Sequence, residues 1–334
     1  MAWNGLMNKK VFYAAMFLIA AFAACKPGKE NEEPEKPEVK AVPTPDFNSD
    51  SAYLYVQKQV DFGPRVPGSK AHKEAEQWLT AKLKQYTPDV MVQEGQATVF
   101  DGSKKPIRNI VASFNTDKRS RVMLAAHWDT RPFSDQDSVR QDEPIDGAND
   151  GGSGVGILLE IARQLSKTSP NIGVDIILFD LEDYGQPESS TQKEQENTYC
   201  LGAQYWSKHK HKSNYLPRYG ILLDMVGAKN ARFTMEGTSM HYAPHIVKKV
   251  WDTANRIGYS DYFAYDQTNP ITDDHLYVNS LAGIGMIDII EYDTKTKYHF
   301  SKTWHTHGDN MDVIDKNTLK AVGQTLLEVV FTER

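Results

Sequence analysis

Cysteine is scarce in this chain of 334 residues, with Cys25 and Cys200 the only two. A scaffold stapled by several disulfides is therefore excluded. No Gly-x-Ser-x-Gly turn occurs, so the strained elbow that presents a catalytic serine is absent. The glycine-rich stretch at 147–154 is not followed by Gly-Lys-Ser/Thr, which argues against a phosphate loop. Lys and Arg gather into no stripe, and the net charge is -6, so a nucleic-acid partner is not expected. The short basic group Lys208-His209-Lys210-His211-Lys212 suits a solvated helix end. Long apolar runs are missing as well. The most apolar segment, Val11 to Ala21, falls short of the roughly 18 residues that span a bilayer.

That segment has another reading. Asn8-Lys9-Lys10 supplies a basic start, Val11 to Ala21 an apolar core, and Phe22-Ala23-Ala24-Cys25 a small-residue end before a cysteine. Such a pattern is a secretory signal. It resembles a bacterial lipobox, which implies a lipidated Cys25 at the mature N-terminus. Residues 1–25 are thus expected to be a lipoprotein signal peptide, with an ordinary signal or an uncleaved anchor as alternatives. Residues 26–45 are rich in Lys, Glu and Pro and are expected to form a disordered tether. Residues 46–334 have no second low-complexity break and are expected to form a single catalytic domain. The expected location is exported, lipid-anchored to a bacterial membrane on its periplasmic or surface side. Cys200 then has no intrachain partner, and beside Leu201 and Ala203 it suits packing better than nucleophilic chemistry.

What the domain has in quantity is apolar runs that end in acids or histidine. Val122 to Ala126 leads into His127-Trp128-Asp129, Val174 to Phe179 into Glu182-Asp183, and Ile221-Leu222-Leu223 into Asp224. Continuous apolar runs of this length predict buried parallel strands. Helical spacing is expected over Ser51 to Val60, Ala71 to Leu83, Gly154 to Leu165, Ala203 to Lys210, Pro244 to Ile257 and Lys316 to Phe331. Further strands are expected at Val90 to Phe100, Ile107 to Phe114, Arg232 to Met235 and Gly283 to Ile290. Strands alternating with helices predict an α/β sandwich with a mixed sheet.

In open α/β sheets, sites form beyond the carboxyl ends of the strands. His127, Asp150, Glu182, Asp183, Asp224 and His305 are therefore expected to converge. Hard oxygen donors mixed with imidazole suit zinc. Asp150 sits among Gly147, Gly151, Gly152 and Gly154, where a tight turn opens a helix; alone it would be a plain N-cap. Glu182 and Asp183 are adjacent and point apart, so one can bind metal while the other handles protons. His305, in Trp304-His305-Thr306-His307-Gly308-Asp309-Asn310, has an aromatic wall beside it, and His307 competes as a ligand.

The ordered set His-x-Asp, Gly-Ala-x-Asp, paired acids after a strand, Leu-Asp-Met-x-Gly and His-Thr resembles the zinc exopeptidase family M28. Phe62-Gly63-Pro64-Arg65-Val66-Pro67-Gly68-Ser69 is similar to that family's N-terminal signature. The resemblance runs from Phe62 to Asn310. It implies a phosphorylase/hydrolase-like fold, a three-layer α/β sandwich around a mixed, mostly parallel sheet. Within the family, Ile271-Thr272-Asp273-Asp274-His275, Trp304 before His305, and Asp309-Asn310 resemble the secretory-type glutaminyl cyclases. That branch implies a peptide substrate with N-terminal glutamine, converted to pyroglutamate with release of ammonia. It also implies one zinc held by Asp150, Asp183 and His305, and Glu182 as general base. Asp224 and Asp273 become a hydrogen-bonded acidic pair near the substrate amide, and Trp304 a pocket wall. The alternative is a di-zinc aminopeptidase, whose second metal would use His127 and Asp224. A third reading is a binding module on the same fold, but that would have lost its ligands. Two departures stand out. Asp183 replaces a glutamate of the animal cyclases, and a polar insertion at Gln186 to Asn197 replaces an aromatic-bearing segment. Asp273 and Asp274 could also merely cap a short helix at His275 to Val278.

Overall fold

The computed structural model describes residues 41–334. The expected signal peptide, Cys25 and most of the expected tether lie outside the described residues. Val42 and Pro45, placed in the tether by composition, lie against the folded unit. Val42 packs on the core, and the Pro45 carbonyl accepts a hydrogen bond from the Gln324 side chain (3.1 Å).

The helices are α1 (Ser49–Val60), α2 (Lys70–Lys84), α3 (Ser153–Leu165), α4 (Leu201–Lys208), α5 (Gly237–Tyr242), α6 (Pro244–Arg256), α7 (Asp274–Tyr277) and α8 (Lys316–Thr332). The strands are β1 (Val90–Thr98), β2 (Lys104–Phe114), β3 (Arg121–His127), β4 (Gly173–Phe179), β5 (Gly220–Asp224), β6 (Phe233–Met235), β7 (Phe263–Gln267) and β8 (Met286–Ile290). The main sheet has the order β1-β2-β4-β3-β5-β8, and β6 pairs with β7 in a small second sheet. β1, β2 and β4 pair antiparallel, whereas β4, β3, β5 and β8 run parallel. This is the mixed, mostly parallel sheet expected.

Side chains on successive strand residues point to opposite faces, and the two cores follow that period. Val122, Leu124 and Ala126 of β3 join Val174, Ile176 and Leu178 of β4 and Ile221 and Leu223 of β5 on one face, against residues of α1, α3, α6 and α8. Met123, Ala125, Ile177, Phe179 and Leu222 face the other way, towards Ala203 and Trp206 of α4. Helices on both faces make the sheet the middle layer of three.

Two polar residues break the apolar period of these buried strands. Asp175 of β4 is satisfied by a forked pair with Arg121 (2.7 and 2.8 Å), by Ser113 (2.6 Å) and by the Tyr215 hydroxyl (3.0 Å). Removing one partner of such a buried pair typically costs ~3–5 kcal/mol. Asp288 of β8 lies beneath the functional site. The basic group after α4 is not the plain solvated end expected, because His211 packs on Trp206 and Tyr215. Elements α5 and β7 were not expected, since neither carries a long period in sequence. Among the described residues, no helix is long and apolar enough to cross a membrane.

Candidate metal centre and active site

The parallel strands deliver their carboxyl ends to one edge. His127 is the last residue of β3 and Asp224 the last of β5, while Glu182 and Asp183 follow β4. Asp150 comes from the turn before α3, and His305 from the loop after β8. The chain bends sharply to place them. Leu181, Cys200, Met225 and His305 all take left-handed backbone angles, with φ of 55°, 58°, 47° and 55°. Non-glycine residues pay for that conformation, and they persist in it where surrounding structure holds them, often at functional sites. At Gly151 (φ 85°) a side chain is impossible. A Cβ there would stand 2.3 Å from the Asp129 carbonyl and 3.1 Å from the His127 ring.

Ligand atoms of Asp150, Asp183 and His305 all lie within 4.8 Å of one another, and all three residues are buried. His305 Nε2 stands 3.2 Å from Asp183 Oδ1 and 3.8 Å from Asp150 Oδ2. Donors about 2 Å from a tetrahedral zinc sit ~3.3 Å apart, so the spacing fits. Asp183 Oδ2 is buried without a hydrogen-bond partner, as a carboxylate oxygen reserved for a cation would be. A second trio shares Asp150: His127 Nε2 is 3.0 Å from Asp150 Oδ1 and 3.1 Å from Asp224 Oδ1. His127 can serve there as a ligand or, protonated, as the counter-charge itself. Burial opposes that charge, but Asp129, Asp150 and Asp224 together hold its pKa well above the ordinary imidazole range. His307, the rival ligand, turns away and pairs with Asp137 (2.8 Å).

The supporting shell consists largely of residues the sequence did not single out. Asp129 accepts the backbone N–H of Glu182 (3.0 Å) and of Asp183 (3.2 Å), fixing both acids at once. Asp309 does the same for Asn149 (2.8 Å) and Asp150 (3.0 Å). Burial, then Asp150, push the Asp309 carboxyl up to about 8. Asp135 Oδ1 lies 3.2 Å from His305 Nδ1, the carboxylate–histidine contact that orients a metal ligand. Arg131 anchors Asp135 with two bonds (3.1 and 2.8 Å) and donates to the carbonyls of Asp183 (3.0 Å) and Gly185 (3.2 Å). Arg65, fully buried, donates to the carbonyls of Trp128, Asp146 and Gly147 (3.0, 2.9 and 2.7 Å). Of this shell, Arg65, Asp129 and Asp309 were visible in sequence only as parts of family motifs. Arg131 and Asp135 carry no local signal.

Glu182 is enclosed. Its pKa is raised well above the usual carboxylate value, first by burial and then by Asp183, Asp273 and Asp274, against the pull of His127. The Cys200 thiol lies 3.1 Å from Glu182 Oε1. Burial and Glu182 push that thiol well up, so it is protonated and donates. Cys200 is buried, as its neighbours indicated, but it packs on the expected general base rather than on apolar groups alone.

A pocket of about 260 Å³ opens over these residues, walled by Tyr199, Ile271, Phe300 and Trp304. Trp304 stacks on His305 with ring centroids 3.7 Å apart. Asp224 and Asp273 both line the pocket, yet the hydrogen-bonded pair expected of them does not form. Asp224 Oδ1 is taken by His127. Asp273 does cap α7, its Oδ1 accepting the Asp274 N–H (2.5 Å), and its carboxylate lies within 4.8 Å of atoms of His275 and of the buried Asp288. Burial and Asp273 raise the Asp288 carboxyl well above the usual range. The second acid near Asp273 is thus one from β8 that no sequence pattern marked, and the remaining oxygens there, Asp273 Oδ2 and those of Asp288, are buried without hydrogen-bond partners.

The family model for "Peptidase family M28" matches residues 109–330. The chain is 50% identical to Bacteroides thetaiotaomicron glutaminyl cyclase, solved bound to N-acetylhistamine, over 87% of this chain and 100% of that one, with a TM-score of 0.86. It is 46% identical to Porphyromonas gingivalis glutaminyl cyclase over 85% of this chain and 97% of that one, with a TM-score of 0.81. It is also 26% identical to aminopeptidase YwaD of Bacillus subtilis, over 75% of this chain and 47% of that protein, so it spans about half of YwaD's length. With two thirds of its residues inside the family model and the convergent acids and histidines all in place, this chain belongs to peptidase family M28.

Proposed function

We infer that the protein is a zinc-dependent glutaminyl-peptide cyclotransferase, acting on peptides with N-terminal glutamine. One observation carries the choice over an aminopeptidase. The pocket above the metal trio is small, about 260 Å³, is walled by Trp304 and Phe300, and carries Asp273 in its lining. An acid there suits the γ-amide nitrogen of glutamine, and an aminopeptidase has no use for one.

Asp150, Asp183 and His305 would hold a zinc ion, which would supply Lewis-acid polarisation of the γ-carbonyl. The chain's own residues do the rest. Glu182 accepts a proton from the substrate's α-amine, whose nitrogen forms a bond to the γ-carbon. The bond from that carbon to the amide nitrogen breaks, and Glu182 returns the proton so that ammonia leaves. Each proton is accounted for, and a five-membered ring remains. Asp273 receives the γ-amide N–H, its own orientation set by the Asp274 N–H that its Oδ1 accepts. Trp304 holds the glutamine side chain against the metal side. Because both reacting groups belong to one residue, positioning supplies much of the rate.

The test is incubation with a Gln-initiated and a Leu-initiated peptide. A cyclase releases ammonia from the first with a loss of ~17 Da and leaves the second intact. Free leucine, with zinc at two per chain, would establish the aminopeptidase instead, using His127 and Asp224 for its second metal. Asp273→Asn sharpens the distinction. It removes no metal bond, so zinc stays, and kcat for Gln-peptides falls more than KM rises, because the contact strengthens as charge develops on the leaving nitrogen. A variant with unchanged kcat leaves Asp273 as no more than the cap of α7.

The location belongs to the same proposal: export, and attachment to a bacterial membrane through lipidated Cys25. A basic, apolar, small-residue order ahead of the cysteine supports it. Cys25→Ser is expected to move the protein from the membrane fraction to the soluble one, or to leave it uncleaved, with activity unaltered. Normal processing and unchanged partitioning would remove the lipid from the account.

A further inference from the structure

A cavity of about 510 Å³ lies beside the site pocket, and the two share Tyr199 and Thr272 as walls. The reaction just described does not use it. Its outer wall is the polar segment 186–199. That segment has a defined shape, fixed by the Gln186 side chain at its centre. Gln186 accepts the Gln195 N–H (2.8 Å) and donates to Ser190 Oγ (3.2 Å) and to the carbonyls of Gln192 and Lys193 (3.3 Å each). Several ties hold it to the body. Gln195 donates to the Phe100 carbonyl (2.8 Å), and the Tyr277 hydroxyl donates to Asn197 Oδ1 (2.9 Å).

The cavity is lined by two carboxylates, Glu188 and Glu194, and by no Lys, Arg or His. Glu188 is partly compensated, since it accepts from the Tyr298 hydroxyl (2.6 Å) and lies 3.6 Å from Lys297. Glu194 is exposed and in no ion pair among the described residues. The rest of the lining is mostly side-chain amides and hydroxyls, groups suited to an extended peptide backbone.

Cyclisation engages only the first residue of a substrate, so the rest of the peptide must leave the site pocket past its rim. We propose that this cavity holds the second and third residues of the peptide and favours cationic side chains there. The inference rests on the glutaminyl cyclase reading, and the experiment separates the two.

Three substrates are compared at low salt: glutamine amide, Gln-Lys-Lys-Ala and Gln-Glu-Glu-Ala. Each is run with wild type and with the Glu188→Gln/Glu194→Gln variant. KM for the basic peptide should be about three- to tenfold below that of the acidic one, the range two partly screened charge contacts supply. The gap should narrow as salt rises and collapse in the variant, while turnover of glutamine amide, which does not reach the cavity, is unchanged. A wild-type enzyme that cyclises glutamine amide but treats both peptides alike overturns the inference and leaves the cyclase reading standing. So does a variant that keeps the full gap. An enzyme inert on all three substrates overturns both.

Discussion

Glu182→Gln is expected to bind a full complement of zinc and yet lose turnover by ~10²–10⁴-fold, the usual contribution of a positioned acid–base group. The expectation follows from what surrounds this side chain. Its backbone N–H is held by Asp129 (3.0 Å), and its carbonyl accepts the Cys200 N–H (2.8 Å). One carboxylate oxygen meets the Cys200 thiol. A glutamine of nearly the same shape keeps the backbone clamps and the thiol contact, so the fold and the metal trio should survive. What it cannot do is take a proton from the α-amine and give it back. Zinc content by elemental analysis and steady-state kinetics on a Gln-peptide decide the matter. Turnover within about threefold of wild type would remove Glu182 from the proton path.

The second large effect is at His305. His305→Ala is expected to cost both the metal and the activity, with zinc falling well below stoichiometric and turnover falling to the background of the uncatalysed ring closure. Three changes coincide there. A metal donor is lost, and a three-ligand zinc site does not tolerate that. The Asp183 and Asp150 carboxylates are left facing each other, buried, without the imidazole that lay 3.2 and 3.8 Å away. Trp304 also loses the ring on which it stacks at 3.7 Å, so the pocket wall loosens. Asp135→Asn provides a graded comparison, because it weakens only the orienting contact to His305 Nδ1. Loss of such a contact typically costs ~10–100-fold in metal affinity or activity. Full zinc occupancy in His305→Ala would show that the metal is held by another set of residues, the His127 trio being the candidate.

Much of this molecule could be read along the chain. Parallel strands buried on both faces need uninterrupted apolar runs, so β3, β4 and β5 declared themselves, and the residues that end them were marked by the change to His, Glu and Asp. Glycines around Asp150 announced a bend, because Gly151 occupies a conformation and a space that admit no side chain. The candidate metal trio and the expected general base were legible for that reason: each sits where a local pattern stops.

Other features depended on the packed fold. Asp288 interrupts β8 without any local sign of purpose, and only the sheet order brings it within 4.8 Å of Asp273. Asp135 and Arg131 lie in a loop with no periodicity, and they matter through contacts made across 170 residues to His305 and across 52 to the Asp183 carbonyl. Cys200 looked like packing because its neighbours in sequence are apolar, and only the left-handed turn before α4 brings its thiol to Glu182. Period and composition record what a residue needs from its nearest neighbours. A hydrogen bond between distant segments is set by how strands are ordered and where loops return, and that order is decided only when the sheet assembles.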